Sequence, residues 1–168
     1  MANKKQLYLI KQGVVSWNRW RELNPDIKPD LSQSDLRETQ LKKVNLNSAN
    51  LIEAKSQFSN LTEANLKETC LKKAKFQEAN LQSANLKNAD LSGAGILEAI
   101  QYADLENANL EGVQFNEVVL FNQTNLKGAN LNEATGLSLS QINLAITDKK
   151  TRLPGYLEEE IDDDFLLQ

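Results

Sequence analysis

The side chains in this sequence that could do chemistry are mostly asparagine and aspartate, and they recur at a fixed spacing. Such residues could serve acid–base catalysis or bind a hard cation, but both uses need several carboxylates clustered at one place. Here one Asn or Asp at a time stands directly before a leucine, so the sequence predicts turns rather than a metal or catalytic site. These positions are Asn45, Asn50, Asn60, Asn65, Asn80, Asn85, Asp90, Asp104, Asn109, Asn125 and Asn130.

Other reactive groups are scarce. The sequence has no histidine, which removes Ser–His and Cys–His nucleophile pairs and imidazole metal ligands. Cys70 is the single cysteine, so no internal disulfide can form, and its expected neighbours Asn50 and Asp90 supply no general base. The glycines do not form a phosphate-binding loop. We therefore expect no enzyme, no catalytic, cofactor-binding or metal-binding residues, no cofactor and no small-molecule substrate.

The elements that position these residues are set by a five-residue period. In "AKFQEANLQSANLKNADLSGA", residues 74–94, a large apolar residue occurs every fifth position and an alanine stands two places before it. Helices require a period near 3.6 and strands a period of two, so neither fits. The large residue, here called the centre, recurs from Leu31 to Leu131. The centres are Leu31, Leu36, Leu41, Leu46, Leu51, Leu61, Leu66, Leu71, Phe76, Leu81, Leu86, Leu91, Ile96, Leu105, Leu110, Phe115, Leu120, Leu126 and Leu131, with Ser56 as an exception.

A chain with this period can bury its apolar residues if it turns a corner every five residues. Four corners then make a square coil of about twenty residues, and coils stacked at the inter-strand spacing of about 4.8 Å pair their backbones with the coils above and below. The centres fill the axis of the stack, and the small residues fit under the corners. Each coil contacts only its neighbours, as in other repeat proteins.

The motif Ala-Asn/Asp-Leu resembles that of the pentapeptide-repeat family. Eight stretches match it, among them Ala49-Asn50-Leu51 and Ala129-Asn130-Leu131, and the resemblance covers residues 29–135. It implies an all-β solenoid, a right-handed quadrilateral β-helix of about five coils, with an N-terminal α-helical cap and a short C-terminal helical cap. The Trp-containing N-terminal segment and "GLSLSQI…AITDKKTRLPGYL" are similar to the ends of cyanobacterial members.

Capping elements are expected at both ends of the stack, within one structural domain. Residues 1–28 form the N-terminal helical cap, with a helix over 3–23; residues 29–135 form the β-helix; and residues 136–168 form the C-terminal helical cap and an acidic tail. The C-terminal helix is expected from Ser138 or Ser140 to about Ile146. The tail "EEEIDDDFLLQ" is either disordered or docks through its apolar end.

The period breaks twice in the upper half of the stack. Ile96 and Leu105 are nine residues apart, so either Ile100 or Gln101 is the intervening centre, and Leu120 and Leu126 are six apart, which places an extra residue near 121–123. By this phase a group of apolar side chains points outward beside the breaks. This candidate protein-binding patch is Leu97, Tyr102, Val119 and Phe121. Alternatively, distorted corners turn some of these side chains inward, or the tail covers them.

Charge and hydropathy limit the remaining functions. Residues 1–89 carry 15 Lys and Arg against 9 Asp and Glu, whereas residues 90–168 carry 4 against 14. No secretory signal or membrane-length apolar run is visible, which predicts a cytoplasmic monomer without membrane or direct nucleic-acid binding. The favoured function is a rigid scaffold that binds an unidentified protein. The alternative is a DNA mimic acting on a topoisomerase or another DNA-binding protein, but residues 30–135 mix 10 basic with 14 acidic residues.

Overall fold

A computed structural model describes residues 1–95 and 99–158. Four helices occur in this part of the chain: α1 (Lys4–Lys11), α2 (Val14–Leu23), α3 (Leu139–Ile142) and α4 (Gly155–Glu158). Between α2 and α3 the described residues form isolated parallel β-bridges rather than longer strands, and each bridge in the lower part joins residues twenty positions apart, as Asp30 with Asn50. The chain is therefore wound into stacked four-sided coils. Among the described residues, no helix has the length and apolar character needed to cross a membrane.

Each side of a coil repeats the same three features. The residue before the centre forms the bridge: the Asn50 N–H donates to the Pro29 carbonyl of the coil below, and the Asn50 carbonyl accepts from the Leu31 N–H, both at 2.8 Å. A corner follows, closed by a hydrogen bond of 3.0 Å from the Ala54 N–H to the Leu51 carbonyl. The second corner residue has a left-handed backbone, as at Ser48 with φ 56°. This geometry explains a five-residue period.

The repeated Asn and Asp residues stabilise the corners, as the sequence predicts. The Asn50 Oδ1 accepts a hydrogen bond from the Ile52 N–H at 3.1 Å, which fixes the start of the next corner. The same side chain donates through Nδ2 to the Asp30 Oδ1 of the coil below, at 3.2 Å. Such side chains stabilise their own corners, and several, such as Asn50, also bond to a neighbouring coil, so they need no catalytic role to be explained.

The core is a column of centres flanked by small residues. The predicted burial of Leu61, Leu81 and Leu86 is confirmed, since each exposes 2% or less of its surface. Ser56 replaces a centre and is also buried; it lies in register with Phe76 one coil above, because Lys55 bridges to Lys75. A small residue beside a large one keeps the interior filled without breaking the register.

The N-terminal segment forms two helices instead of the single helix expected over 3–23. Gly13 separates α1 from α2 with a φ of 110°, a conformation that favours glycine. Trp17 of α2 is completely buried, and its Nε1–H donates to the Asn45 carbonyl at 2.8 Å. Trp20 packs on Trp17 with ring centroids 5.1 Å apart, whereas Leu23, at the end of α2, is 74% exposed and contributes little to the core.

The C-terminal segment is less helical than expected. Instead of continuing to Ile146, α3 ends at Ile142, and Ser138 and Gln141 form a capping box at its start. After α3 the chain pairs again with the stack, with Ile146 bridging to Asn125 and Arg152 to Asn130. The tail from residue 159 onward, for which two alternatives were predicted, lies outside the described residues.

Candidate interaction surface

The two breaks in the period lie in consecutive coils. We number the coils from Asp30; the fourth spans residues 90–108 and the fifth spans 109–129, because Asp90 bridges to Asn109 and Asn109 to Asn130. The fourth coil is thus one residue shorter than its predecessors, and the fifth is one residue longer. Bridges to the fourth coil change from twenty to nineteen residues at Asn80 and Ala99. Ile100 is the buried centre that follows, which resolves the choice between Ile100 and Gln101.

The predicted outward orientation of Val119 and Phe121 is wrong. Both are completely buried, and Phe121 packs against Phe115 with ring centroids 5.4 Å apart. Leu120, predicted as a centre, is 45% exposed. The cause is the location of the extra residue, which lies before Phe121 instead of after it. Phe121 is therefore the centre five places before Leu126, and the missing and the extra residue fall at the same corner of successive coils.

The longer corner, residues 116–120, is held by hydrogen bonds. The Val119 N–H donates to the Asn116 carbonyl at 2.9 Å. The Nε2 of Gln141, in α3, donates to the carbonyls of Glu117 and Val119 at 2.8 and 3.2 Å. The same Gln141 closes the capping box of α3, so one side chain connects the bulged corner with α3. Backbone groups that the bulge removes from the regular ladder are thereby satisfied.

Exposed apolar side chains lie on the side of the stack that runs from this corner to the next one, at residues 122–123, and we call Tyr102, Val118, Leu120 and Leu144 the corner surface. Their exposed fractions are 52%, 70%, 45% and 48%. They occupy successive levels of the stack, because the Tyr102 N–H donates to the Asn122 carbonyl and the Gln123 N–H to the Leu144 carbonyl. Of the patch predicted from the sequence, only Tyr102 belongs to this surface. Leu97, the remaining predicted member, lies outside the described residues.

Val118 and Leu120 were missed because the period was counted forward from Phe115. Counting backward from Leu126 reaches Phe121, and a β-branched residue, Val119, then stands two places before it. The same arrangement occurs regularly at Val113 and Phe115. Counting backward from Leu126 was therefore the signal available in the sequence, and it predicts that Val118 and Leu120 are both exposed.

Ion pairs join neighbouring lower coils, whereas acidic residues outnumber basic ones in the part of the chain that contains the corner surface. Lys42 and Lys43 both contact Glu63, at 3.2 and 3.1 Å, and Lys87 contacts Glu106 at 2.9 Å. The hydrogen bond with Glu106 raises the pKa of Lys87 above its ordinary value. Residues 90–158 carry nine acidic and four basic residues, so the corner surface stands in an acidic environment.

The described residues offer little for catalysis or metal binding. Cys70 is half-buried and bridges to Asn50 below and Asp90 above, as the sequence predicts. Partial burial raises the pKa of Asp90, but hydrogen bonds from Ser92 and Lys72 outweigh this and hold it below its ordinary range, so Asp90 is an unsuitable base. Within residues 1–95 and 99–158, no group of three or more His, Cys, Asp or Glu residues could hold a metal ion.

The sequence matches a known family over most of the coils. The family model described as pentapeptide repeats matches residues 30–55, 59–94 and 100–144, in eight copies. The matched segments skip the positions near Ser56 and near the short fourth coil, where the period is irregular. No curated protein matches the chain.

Several solved pentapeptide repeat structures are similar to this chain. One, from the Arabidopsis thaliana thylakoid lumen, is 32% identical, with a TM-score of 0.34, and the match covers 50% of this chain and 63% of that one. HetL, involved in heterocyst differentiation regulation in the cyanobacterium Nostoc, is 24% identical, with a TM-score of 0.32 and coverages of 76% and 57%. QnrB1, a plasmid-mediated fluoroquinolone resistance protein, is 16% identical, with a TM-score of 0.31 and coverages of 71% and 80%. This chain spans less than two thirds of the first two proteins.

Proposed function

This chain belongs to the pentapeptide-repeat family, and on that premise we propose that it is a non-enzymatic scaffold that binds a protein partner through the corner surface. The observation that carries the proposal is the group of four exposed apolar side chains on one side of the upper stack. Val118 and Leu120 lie at the bulged corner where this side begins, and Tyr102 and Leu144 lie at the corner where it ends. Exposed apolar side chains grouped on a soluble protein mark interaction sites more often than scattered ones do. Elsewhere on the coils, Phe58 is 53% exposed but does not belong to a group of exposed large apolar side chains.

The scaffold itself is suited to binding without rearrangement. Backbone hydrogen bonds of 2.7 to 3.3 Å join each coil to the next, and Gln141 fixes the bulged corner from the C-terminal side. A surface held in this way loses little conformational freedom when a partner binds, which favours affinity. Tyr102 contributes a large, rigid side chain of the type enriched in binding hot spots.

The charge around the corner surface indicates the chemistry of the partner. Glu117 is exposed and directly precedes Val118, and the upper coils carry an excess of acidic residues. A complementary partner is therefore an apolar protein element flanked by Lys or Arg. Opposite charges at the rim increase the association rate and orient the encounter.

The alternative, a DNA mimic that acts on a topoisomerase or another DNA-binding protein, has less support. Such a mimic needs a continuous negative surface. On the lower coils lysines interrupt the acidic residues and pair with them, as Lys43 with Glu63 and Lys72 with Asp90, both at 3.1 Å. A field of one sign is therefore confined to the upper part of the molecule.

The test is an affinity capture from the cytosol of the source organism, comparing wild type with the double variant Val118→Glu/Leu120→Glu. Both positions are exposed, so the variant should fold, which circular dichroism and thermal unfolding would verify. We expect a partner that the wild type retains and the double variant loses.

Phe58→Glu is the matched control, because Phe58 is an exposed aromatic residue with the same left-handed backbone as Tyr102, in the second coil and three levels below the bulged corner. It should retain the partner. A partner retained equally by all three proteins would refute the corner surface as the binding site. A partner lost equally by both variants would indicate a general effect of added charge and would also contradict the proposal.

The proposal also includes the finer description of the fold and location. It comprises about five coils between an N-terminal helical cap and a short C-terminal helical cap, divided at residues 28 and 135, and a cytoplasmic location. The burial of Trp17 against the first coil and the bridge of Ile146 to Asn125 support the two caps. Limited proteolysis should cleave outside 29–135 first if these boundaries are correct.

A further inference from the structure

Among the described residues, the backbone groups on the lower edge of the first coil have hydrogen-bond partners on only two of its four sides. In a complete stack, the bridge residue of each side donates its N–H and offers its carbonyl to the coil below. In the first coil these residues are Asp30, Asp35, Gln40 and Asn45, and no coil lies beneath them. Their backbone groups therefore depend on the N-terminal helices for partners.

Two sides are paired by groups that stand in for a missing coil. The Asp30 N–H donates to the Gln6 Oε1 at 2.8 Å, and the Asp30 carbonyl accepts from the Asn3 N–H at 2.8 Å. The Asn45 N–H likewise donates to the Asn18 Oδ1, and its carbonyl accepts from the Trp17 Nε1–H, both at 2.8 Å. The N-terminal helices thus close half of the edge.

The sides at Asp35 and Gln40 differ. Within the described residues, neither their N–H groups nor their carbonyl groups have a hydrogen-bond partner, although both residues use their side chains, with Arg37 and Asn60. These two sides open onto a groove of about 650 Å³ between the first coil and the α1–α2 junction. Ile10, Lys11 and Gly13 line it from the helices, and Asp35, Gln40 and Leu41 from the coil.

Unpaired donors and acceptors at a sheet edge are matched by an extended backbone, which adds as a further strand. The occupant must also turn one corner, because Asp35 and Gln40 lie on adjacent sides. An irregular chain can do this: at the upper end, Ile146 and Arg152 pair with consecutive sides outside the regular repeat.

We propose that this groove binds the tail, residues 159–168, of a second copy of the chain. Charge supports this occupant at the level of the lower end as a whole: residues 1–23 carry five basic residues and one acidic residue, and the tail carries five acidic residues and no basic one. Within the groove itself Lys11 and Arg37 balance Asp35 and Glu38. The tail also contains Phe165, Leu166 and Leu167, which can contact the aliphatic parts of the Lys11 and Arg37 side chains in the groove, because Ile10 and Leu41 each expose only 2% of their surface.

The distances favour a second copy over the molecule's own tail. Six bridges separate Asp30 from Arg152, which at about 4.8 Å each is about 29 Å along the stack. The seven residues from 159 to Phe165 span at most about 25 Å when fully extended. Two molecules placed side by side and antiparallel bring each tail next to the other's groove. This arrangement is closed and two-fold symmetric, and it pairs the basic lower end with the acidic upper end.

The inference is independent of the corner surface, and sedimentation of the full chain tests it. We expect the mass to rise from 18.8 kDa toward twice that value between micromolar and millimolar protein. Gln40→Pro removes one backbone donor of the groove and breaks no described backbone hydrogen bond, although it also loses the exposed side-chain bond from Asn60; Phe165→Glu alters the tail. Both should stay at the monomer mass, whereas Phe58→Glu should associate like wild type.

Amide hydrogen exchange locates the contact. At high concentration the Gln40 amide should exchange at least about tenfold more slowly than in dilute protein. A wild type of monomer mass at every concentration would overturn the proposal, as would wild-type association by Gln40→Pro or by Phe165→Glu. Concentration-independent exchange at Gln40 in an associating wild type would place the contact elsewhere and overturn it as well.

Discussion

The first three coils and the next two are built from the same repeat, but they differ in what they present to solvent. In residues 30–89 every coil has twenty residues, and the exposed positions are mostly polar, with Phe58 as the large apolar exception. In the fourth and fifth coils one residue is lost and one is added, and Tyr102, Val118 and Leu120 are exposed. The core continues through both regions, so the stack tolerates irregular corners as long as its inward columns are kept.

The comparison shows that the register of the buried centres and the choice of side chains exposed at the corners vary independently. Ile100 and Phe121 keep the inward column, while the residues between centres absorb the change in length. A one-residue change would invert the faces of an ordinary strand. Here the residues between centres absorb it, and the coil that is one residue shorter lies beneath the coil that is one residue longer. Irregular corners can therefore supply a specific surface on an otherwise repetitive molecule.

The largest expected effect on stability distinguishes the buried Phe121 from its exposed neighbour Leu120. Phe121→Ala removes a buried ring that packs on Phe115, so we expect the free energy of unfolding to fall by about 3–5 kcal/mol. Leu120→Ala truncates an exposed side chain and should change it by no more than about 0.5 kcal/mol. Urea unfolding of the two variants measures the difference. Equal losses would contradict this account, and a larger loss for Leu120→Ala would mean that Leu120 is the centre.

A second prediction compares the same side of adjacent coils. The Asn60 N–H donates to the Thr39 carbonyl at 3.0 Å, whereas the Gln40 N–H has no partner among the described residues. Asn60→Pro should therefore lower the free energy of unfolding by about 1–3 kcal/mol through the lost bond and the unpaired carbonyl. Gln40→Pro should cost clearly less. Chemical denaturation in dilute protein checks both, and a larger cost for Gln40→Pro would be inconsistent with an open edge.

A smaller effect on stability is expected where the bulged corner is hydrogen-bonded to α3. Gln141→Ala removes the hydrogen bonds to the carbonyls of Glu117 and Val119 and one half of the capping box. The expected cost is about 1–2 kcal/mol in thermal or urea unfolding. Hydrogen exchange should also accelerate within residues 116–120 and remain unchanged in the first three coils. Faster exchange in the lower coils instead would show that the two regions are not independent.

The smallest effect concerns pH and the C-terminal turn. The pKa of Asp148 is lowered chiefly by the hydrogen bond from the Gly128 N–H, with help from Lys150 and Thr151. A lowered pKa adds stability above the unfolded value, near 4, and this is lost as the pH falls through the folded value. Asp148→Asn should thus reduce the urea midpoint at neutral pH, and the difference from wild type should vanish in strong acid. A constant difference would argue against this linkage.

The regular part of the fold could be predicted because its signal repeats. Each Ala-Asn/Asp-Leu unit specifies one side of a coil, and a mistake at one unit is corrected by the next. The break at Gly13 could not be located in the same way, because a glycine within an apolar pattern is compatible with a continuous helix and only the observed φ of 110° decides.

The candidate site was less predictable than the core. Between Phe115 and Leu126 the period allows the extra residue at either corner, and the choice depends on how the Phe121 ring packs on Phe115. Tyr102 was identified because it follows Ile100 at a corner position that is exposed throughout the stack. Leu144 could not be identified, since it lies beyond the repeats, where the five-residue period no longer applies.

The central claim is that the extra residue lies before Phe121, which puts Leu120 outside and Phe121 inside. Thiol labelling tests it directly, using Leu120→Cys and Phe121→Cys, each in a Cys70→Ser background so that one thiol is present. We predict that Leu120→Cys reacts with a thiol reagent in the native protein at a rate close to that of the unfolded chain. Phe121→Cys should react only after urea unfolding. Rapid native labelling of Phe121→Cys with protection of Leu120→Cys would contradict the account.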